Sequence, residues 1–329
     1  RGLRKTGMKR RAVLAAATLA ATLLSQTGAW AQQAGDARPL KLVVPFAAGT
    51  STDIVGRVLA EALGRQLSQV VIVDNRPGAG GAIGSELVAR SGADGHTVLL
   101  GTVGTHAINA SLYKRLSYQP QRDFVPLGFV GATPTLLVVP AAAPWKTVAD
   151  MRQASGKSVS FASAGNGTSG HLAGELLNLR LGKDFVHVPY RDGAQALTEV
   201  MAGNVQFMFY HPAAVLPQVR AGKLRALGAS SARRSTAAPD VPTLTEQGIP
   251  DFDLVAWFML YAPADMPAAQ RDRLREATQA VLAQPAVRDK LAVQGIEPMA
   301  MNAAEMAVFG TAEIAKWGEA VRRSGAQVD

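Results

Sequence analysis

Two short stretches of the chain set hydroxyl residues beside glycine just ahead of an amphipathic segment, a spacing suited to anion capture. In the first, Ala47-Ala48-Gly49-Thr50-Ser51-Thr52-Asp53 leads into a run whose apolar positions Ile54, Val55, Val58, Leu59 and Leu63 share one helical face. In the second, Ser163-Ala164-Gly165-Asn166-Gly167-Thr168-Ser169-Gly170 leads into Leu172, Leu176 and Leu177 on one face. Glycine lets the backbone turn tightly, the hydroxyls suit cap positions, and the first N–H groups of a helix point outward with partial positive charge. Such a helix start holds a carboxylate or phosphate without lysine or arginine. Taken singly, Ser51, Thr52, Thr168 and Ser169 are what ordinary helix caps look like. The repetition makes the two loops candidate ligand contacts.

Other strand ends supply further candidates. Gly101-Thr102-Val103-Gly104-Thr105-His106 follows one apolar run and Tyr190-Arg191-Asp192-Gly193 follows another, so Thr102, His106, Asp192 and Tyr210 can reach the same cleft. His106 and Tyr210 are equally well read as hydrogen-bonded core residues. The run Gly78-Ala79-Gly80-Gly81-Ala82-Ile83-Gly84 fails as a dinucleotide fingerprint, since Pro77 separates it from its strand and position 83 is Ile rather than the third glycine. It reads as a tight structural turn. The five histidines show no metal-ligand spacing, no G-x-S-x-G elbow occurs, and Ser163 with His171 is too generic to read as nucleophile and base. With no cysteine, disulfides, thiolate zinc sites and a cysteine nucleophile are excluded. No metal, cofactor or catalytic residue is expected.

The elements that must position these loops alternate. Strands are expected at Leu40 to Phe46, Val70 to Val73, Val98 to Leu100 and Phe129 to Val139, then at Val159 to Ala162, Phe185 to Val188, Val205 to Phe209, Leu224 to Ala229 and Leu254 to Tyr261. Helical stretches lie between them, and Pro267 to Val321 is mostly helical. Alternation of this kind builds mostly parallel sheets flanked by helices, with ligands at the carboxyl ends of the strands. The two long runs, Phe129 to Val139 and Leu254 to Tyr261, bracket the middle section and read as crossovers. The expectation is one discontinuous lobe, residues 38–138 plus 255–329, and a second of residues 139–254; two consecutive domains are the alternative.

Residues 1–31 are set apart from the fold. Met8 precedes Lys9-Arg10-Arg11, an apolar run from Ala12 to Leu24, and the small-x-small string Ala29-Trp30-Ala31, which together read as a secretory signal peptide cleaved after Ala31. Arg10-Arg11 leaves twin-arginine export open beside the general route. The full chain carries 34 basic and 25 acidic residues, and six of the basic ones precede residue 32. The mature chain is then near +3, too little to support nucleic-acid binding.

Several strings in order resemble the Bug family, the receptors of tripartite tricarboxylate transporters. They are Pro45-Phe46 leading to Asp53, Val73-Asp74-Asn75-Arg76-Pro77-Gly78-Ala79-Gly80-Gly81, Ala93-Asp94-Gly95-His96-Thr97, Val188-Pro189-Tyr190, Ala221-Gly222-Lys223-Leu224-Arg225, Pro239-Asp240-Val241-Pro242-Thr243 and Tyr261-Ala262-Pro263. The resemblance spans nearly the whole mature chain. It implies a two-lobe Venus-flytrap, type II-like α/β periplasmic binding protein that captures a small carboxylate (a di- or tricarboxylate, an aromatic acid or an amino acid). It also implies a periplasmic receptor that serves membrane transporter subunits and is not an enzyme, and a monomer is expected. Its ligand loops would be Phe46 to Asp53, Thr102 to His106, which includes Thr105, and Ser163 to Ser169, which includes Gly165 and Gly167. The family usually has a glycine pair in the first loop, whereas the second position here is Thr50, a side chain that narrows the pocket or adds a hydroxyl contact. Tyr210-His211-Pro212 also departs from the pattern. The competing readings are an exported hydrolase or lyase using Ser163, His171 or Asp192, and a surface protein that binds partners.

Overall fold

The computed structural model describes residues 38–154 and 158–328. The expected signal peptide lies outside the described residues. The chain forms β1 (Leu40–Val44), α1 (Ser51–Leu67), β2 (Val71–Asn75), α2 (Ala82–Ala89), β3 (Thr97–Thr102), a π-helical turn Gly104–Ile108 running into α3 (Asn109–Leu112), and β4 (Phe124–Pro134). It continues with β5 (Leu136–Pro140), α4 (Val148–Met151), β6 (Ser160–Ser163), α5 (Ser169–Leu181), β7 (Val186–Pro189), α6 (Gly193–Met201), β8 (Phe207–Tyr210), α7 (Pro212–Arg220) and β9 (Leu224–Ala229). It ends with β10 (Val255–Pro263), α8 (Ala268–Ala283), α9 (Pro285–Val293) and α10 (Ala303–Ser324).

Two five-stranded sheets result, ordered β2-β1-β3-β10-β4 and β7-β6-β8-β5-β9. In the first, β1 runs parallel to β2 and β3, while β10 runs antiparallel to both β3 and β4. In the second, β6 runs parallel to β7 and β8, while β5 runs antiparallel to β8 and β9. Each sheet therefore has four strands pointing one way and one, β10 or β5, pointing back. That reversed strand is in each case the one reached by crossing from the other sheet. The fold is a two-lobe α/β structure, as expected.

The run expected as one long strand, Phe129 to Val139, is two strands broken at Thr135, because the chain there leaves one sheet for the other. The break is held by side chains. Thr135 N–H donates to Ser230 Oγ at 3.0 Å and Ser230 N–H donates back to Thr135 C=O at 2.9 Å. Ser230 Oγ donates to Leu254 C=O at 2.6 Å and Leu254 N–H donates to Ser230 C=O at 2.8 Å. Both crossing segments are thus tied at one fully buried serine. Burying its hydroxyl is tolerated because the hydroxyl is bonded on both sides.

Apolar spacing explains the layers. Leu40, Leu42, Val98 and Leu100 pack with Val55, Leu59 and Leu63 of α1 on one face of the first sheet. On the other face Val43 and Leu99 join a core that continues to Phe161, Leu172 and Phe207 of the second lobe. The C-terminal helix α10 packs on both α5 and the Gly104–Ile108 turn, one in each lobe. Among the described residues no helix is long and apolar enough to cross a membrane.

Candidate functional site

The first loop is a closed hydrogen-bonded turn. Gly49 takes φ +82°, a left-handed conformation that side chains resist. Thr50, the N-cap of α1, donates its hydroxyl to Ala47 C=O at 2.8 Å and accepts from Asp53 N–H at 3.3 Å. The Asp53 carboxylate folds back to accept from Gly49 N–H at 2.8 Å, from Arg57 at 2.9 Å and from Asn75 at 3.0 Å. Burial pushes Asp53 up, but the bonds from Arg57, Gly49 and Asn75 outweigh it and hold the carboxyl below the usual carboxylate value.

The second loop repeats this turn almost bond for bond. Gly167 takes φ +80°, and Thr168 donates to Gly165 C=O at 2.8 Å and accepts from His171 N–H at 3.4 Å. Here Gly167 N–H donates to His171 Nδ1 at 3.2 Å, so a neutral imidazole occupies the place that Asp53 has in the first loop. In both loops the threonine hydroxyl is committed within its own turn. The donors left for a ligand are the earlier helix N–H groups, those of Ser51 and Thr52 on α1 and of Ser169 and Gly170 on α5.

These two helix starts face one cavity of about 540 Å³ between the lobes. Of the residues expected at the ligand, Phe46, Thr50, Ser51, Thr52, Thr102, Gly165, Thr168, Ser169, Asp192 and Tyr210 line it. Ala48, Gly49, Asp53, Thr105, His106, Ser163 and Gly167 do not, and each has a structural position instead. Gly49 and Gly167 make the turns, and Ala48 points to solvent. Asp53 and Ser163 brace the loops from behind. Thr105 bonds Thr102 and the His106 ring, and that ring stacks on Tyr261 at 3.9 Å in the core. Burial lowers the His106 pKa to about 3, leaving it neutral.

Sequence reasoning passed over part of the wall. Gly78, Ala79, Gly80 and Gly81 all take positive φ and line the cavity, and a Cβ on Gly80 would stand 2.6 Å from Asn166 C=O of the other lobe. Gly80 is therefore a close approach between lobes, and the positive φ of its neighbours shapes the turn that brings it there. Tyr113, Tyr190, Arg191, His211 and Val328 also line the cavity. Val328 arrives there because the C-terminal segment bonds to Leu112 and pairs beside Tyr113, which no local pattern foretells. Tyr210 and Ser51, one from each lobe, line the same cavity.

Two other groupings were tested for chemistry. Ser163 Oγ lies 2.7 Å from His187 Nε2, but Ser163 is fully buried outside the cavity, and burial with the neighbouring His171 lowers His187 to about 3, too weak for a general base. His171, Glu175 and His187 bring ligand-type atoms within 4.8 Å of one another. The two imidazoles stack face to face at 4.0 Å and 18°, so their in-plane lone pairs run side by side and do not converge on an ion.

Comparisons with known proteins place the chain in a family. Residues 55–326 match the model of the tripartite tricarboxylate transporter family receptor, TctC. The chain belongs to that family. Protein BugT of Bordetella pertussis is 36% identical over 297 residues, which are 89% of this chain and 91% of BugT. An R. palustris structure with adipate superposes with a TM-score of 0.83 at 31% identity, covering 88% of this chain and 99% of that one. The malate-bound MatC of Rhodopseudomonas palustris superposes with a TM-score of 0.80 at 31% identity, covering 86% and 99%. As a TctC-type, Bug-family receptor the chain is a solute-binding protein and not an enzyme.

Proposed function

We propose that this receptor captures a small carboxylate in the periplasm by closing its two lobes on it, and presents the ligand to membrane transporter subunits as a monomer. The lobes move as residues 38–138 with 255–329, and residues 139–254, about the crossing at Thr135 and Ser230. The observation that carries the reading is the matched pair of glycine-hinged helix starts on one cavity. The N–H groups of Ser51, Thr52, Ser169 and Gly170 and the nearby hydroxyls can surround one carboxylate, and a ligand touching both lobes favours the closed form by its extra contacts there. Adipate and malate in the related structures support the choice of a carboxylate. Export is supported by the leader read from residues 1–31.

Isothermal titration of the purified mature chain with paired probes, each small acid against its neutral amide, tests this reading. The acids of at least one pair are expected to bind and the amides not. Equal binding of acid and amide, or binding of neither in every pair, removes the reading.

A further inference from the structure

We propose that the ligand is an aromatic monocarboxylate: one acid group held between the two helix starts, with its ring among Phe46, Tyr113, Tyr190, Tyr210 and His211. This rests on the carboxylate-capture reading and narrows it to a substrate class.

The charge available in the cavity suits one carboxylate. A helix start presents about half a positive charge, so the starts of α1 and α5 together balance about one negative charge. The Asp53 carboxylate is paired with Arg57 behind the wall and adds no net charge. The start of α6 also faces the cavity, but Asp192 already caps it, accepting from Gln195 N–H at 2.9 Å. The start of α7 has proline at its first position and so lacks that N–H. Among the described residues on the wall, Arg191 alone carries a cationic side chain, and it is solvent-exposed beside Asp192. A second or third ligand carboxylate would therefore meet the fixed negative charge of Asp192 or an apolar surface, where an uncompensated charge is strongly disfavoured.

The rest of the wall suits a ring. Phe46, Tyr113, Tyr190, Tyr210 and His211 line the cavity and are each part-buried. Tyr210 and His211 lie nearly coplanar in orientation, 13° apart at 5.4 Å. Burial lowers His211 to about 4, so its imidazole serves as a neutral ring at pH 7. The volume of about 540 Å³ lies within the range of small-molecule pockets, about 300–1,000 Å³, and leaves room for a ring.

Thermal melting and calorimetry with benzoate, hexanoate, adipate, malate and citrate test the assignment. Benzoate is expected to bind at least about tenfold more tightly than any of the other four, the ratio expected from ring contacts and avoided charge burial. Asp192→Asn keeps a good cap for α6 and removes the fixed charge, so the ratio of adipate affinity to benzoate affinity should rise at least about threefold. A dicarboxylate, citrate or hexanoate that binds as well as benzoate overturns the aromatic assignment and leaves carboxylate capture standing. Failure of every acid to bind overturns both.

Discussion

Thr50 and Thr168 each use both sides of the hydroxyl inside their own turns, so they shape the two helix starts and their hydroxyl protons are already committed. Thr50, expected from sequence to narrow the pocket or touch the ligand, lines the cavity and also closes the turn that aims its neighbours' N–H groups. Behind the turns, Asp53 and His171 occupy equivalent positions with different charge. This equivalence was not legible in the sequence, because a carboxylate and a neutral imidazole share only the ability to accept one hydrogen bond from a glycine N–H. The buried histidines make a testable contribution of their own. His106 and His187 are lowered to about 3 and His211 to about 4, in each case with burial as the first cause. A base whose folded pKa is depressed gains its proton first in the unfolded chain, near pH 6.5. Stability is therefore full above about pH 6.5 and falls as pH drops toward 4, by about 1.4 kcal/mol per pH unit for each histidine. Urea midpoints measured from pH 7.5 to 4.5 should show this fall, and His187→Gln, which takes no proton, should flatten it by about one third.

At the scale of elements, the two loop-to-helix starts were the most legible feature, since glycine, hydroxyl cap and apolar periodicity are all local signals. The strands followed to within a few residues, and Leu224–Ala229 fell where expected. The break at Thr135 had a local signal in Pro134, which the apolar run from Phe129 to Val139 masked, while the partner that holds it, Ser230, is 95 residues away. The glycine run after β2 was legible as a turn but not as an approach between lobes, for the same reason: Asn166 is distant in sequence. Ser230 ties both crossings, so Ser230→Ala leaves Thr135 N–H and Leu254 C=O without their hydroxyl partner inside the core. A loss of about 2 kcal/mol is expected, read as a lower midpoint in urea unfolding. An unchanged midpoint would show that the crossing is held by packing alone.

For the whole molecule, the architecture gives the site its meaning. Each lobe repeats the same sheet order with one reversed strand, so each presents one glycine-hinged helix start, and two crossings set the pair opposite each other over the cavity. Neither start alone distinguishes a binding site from an ordinary cap; that the two line one cavity is what supports the proposed capture of a carboxylate by lobe closure. The chain has no cysteine, so introduced cysteines are unique labelling sites. Ile83 and Val186 are exposed, one in each lobe. With spin labels at Ile83→Cys and Val186→Cys, saturating benzoate should shift and narrow the inter-label distance distribution, and benzamide should leave it as in the free protein. A distribution that stays the same while the acid is bound would contradict closure of the lobes on a carboxylate.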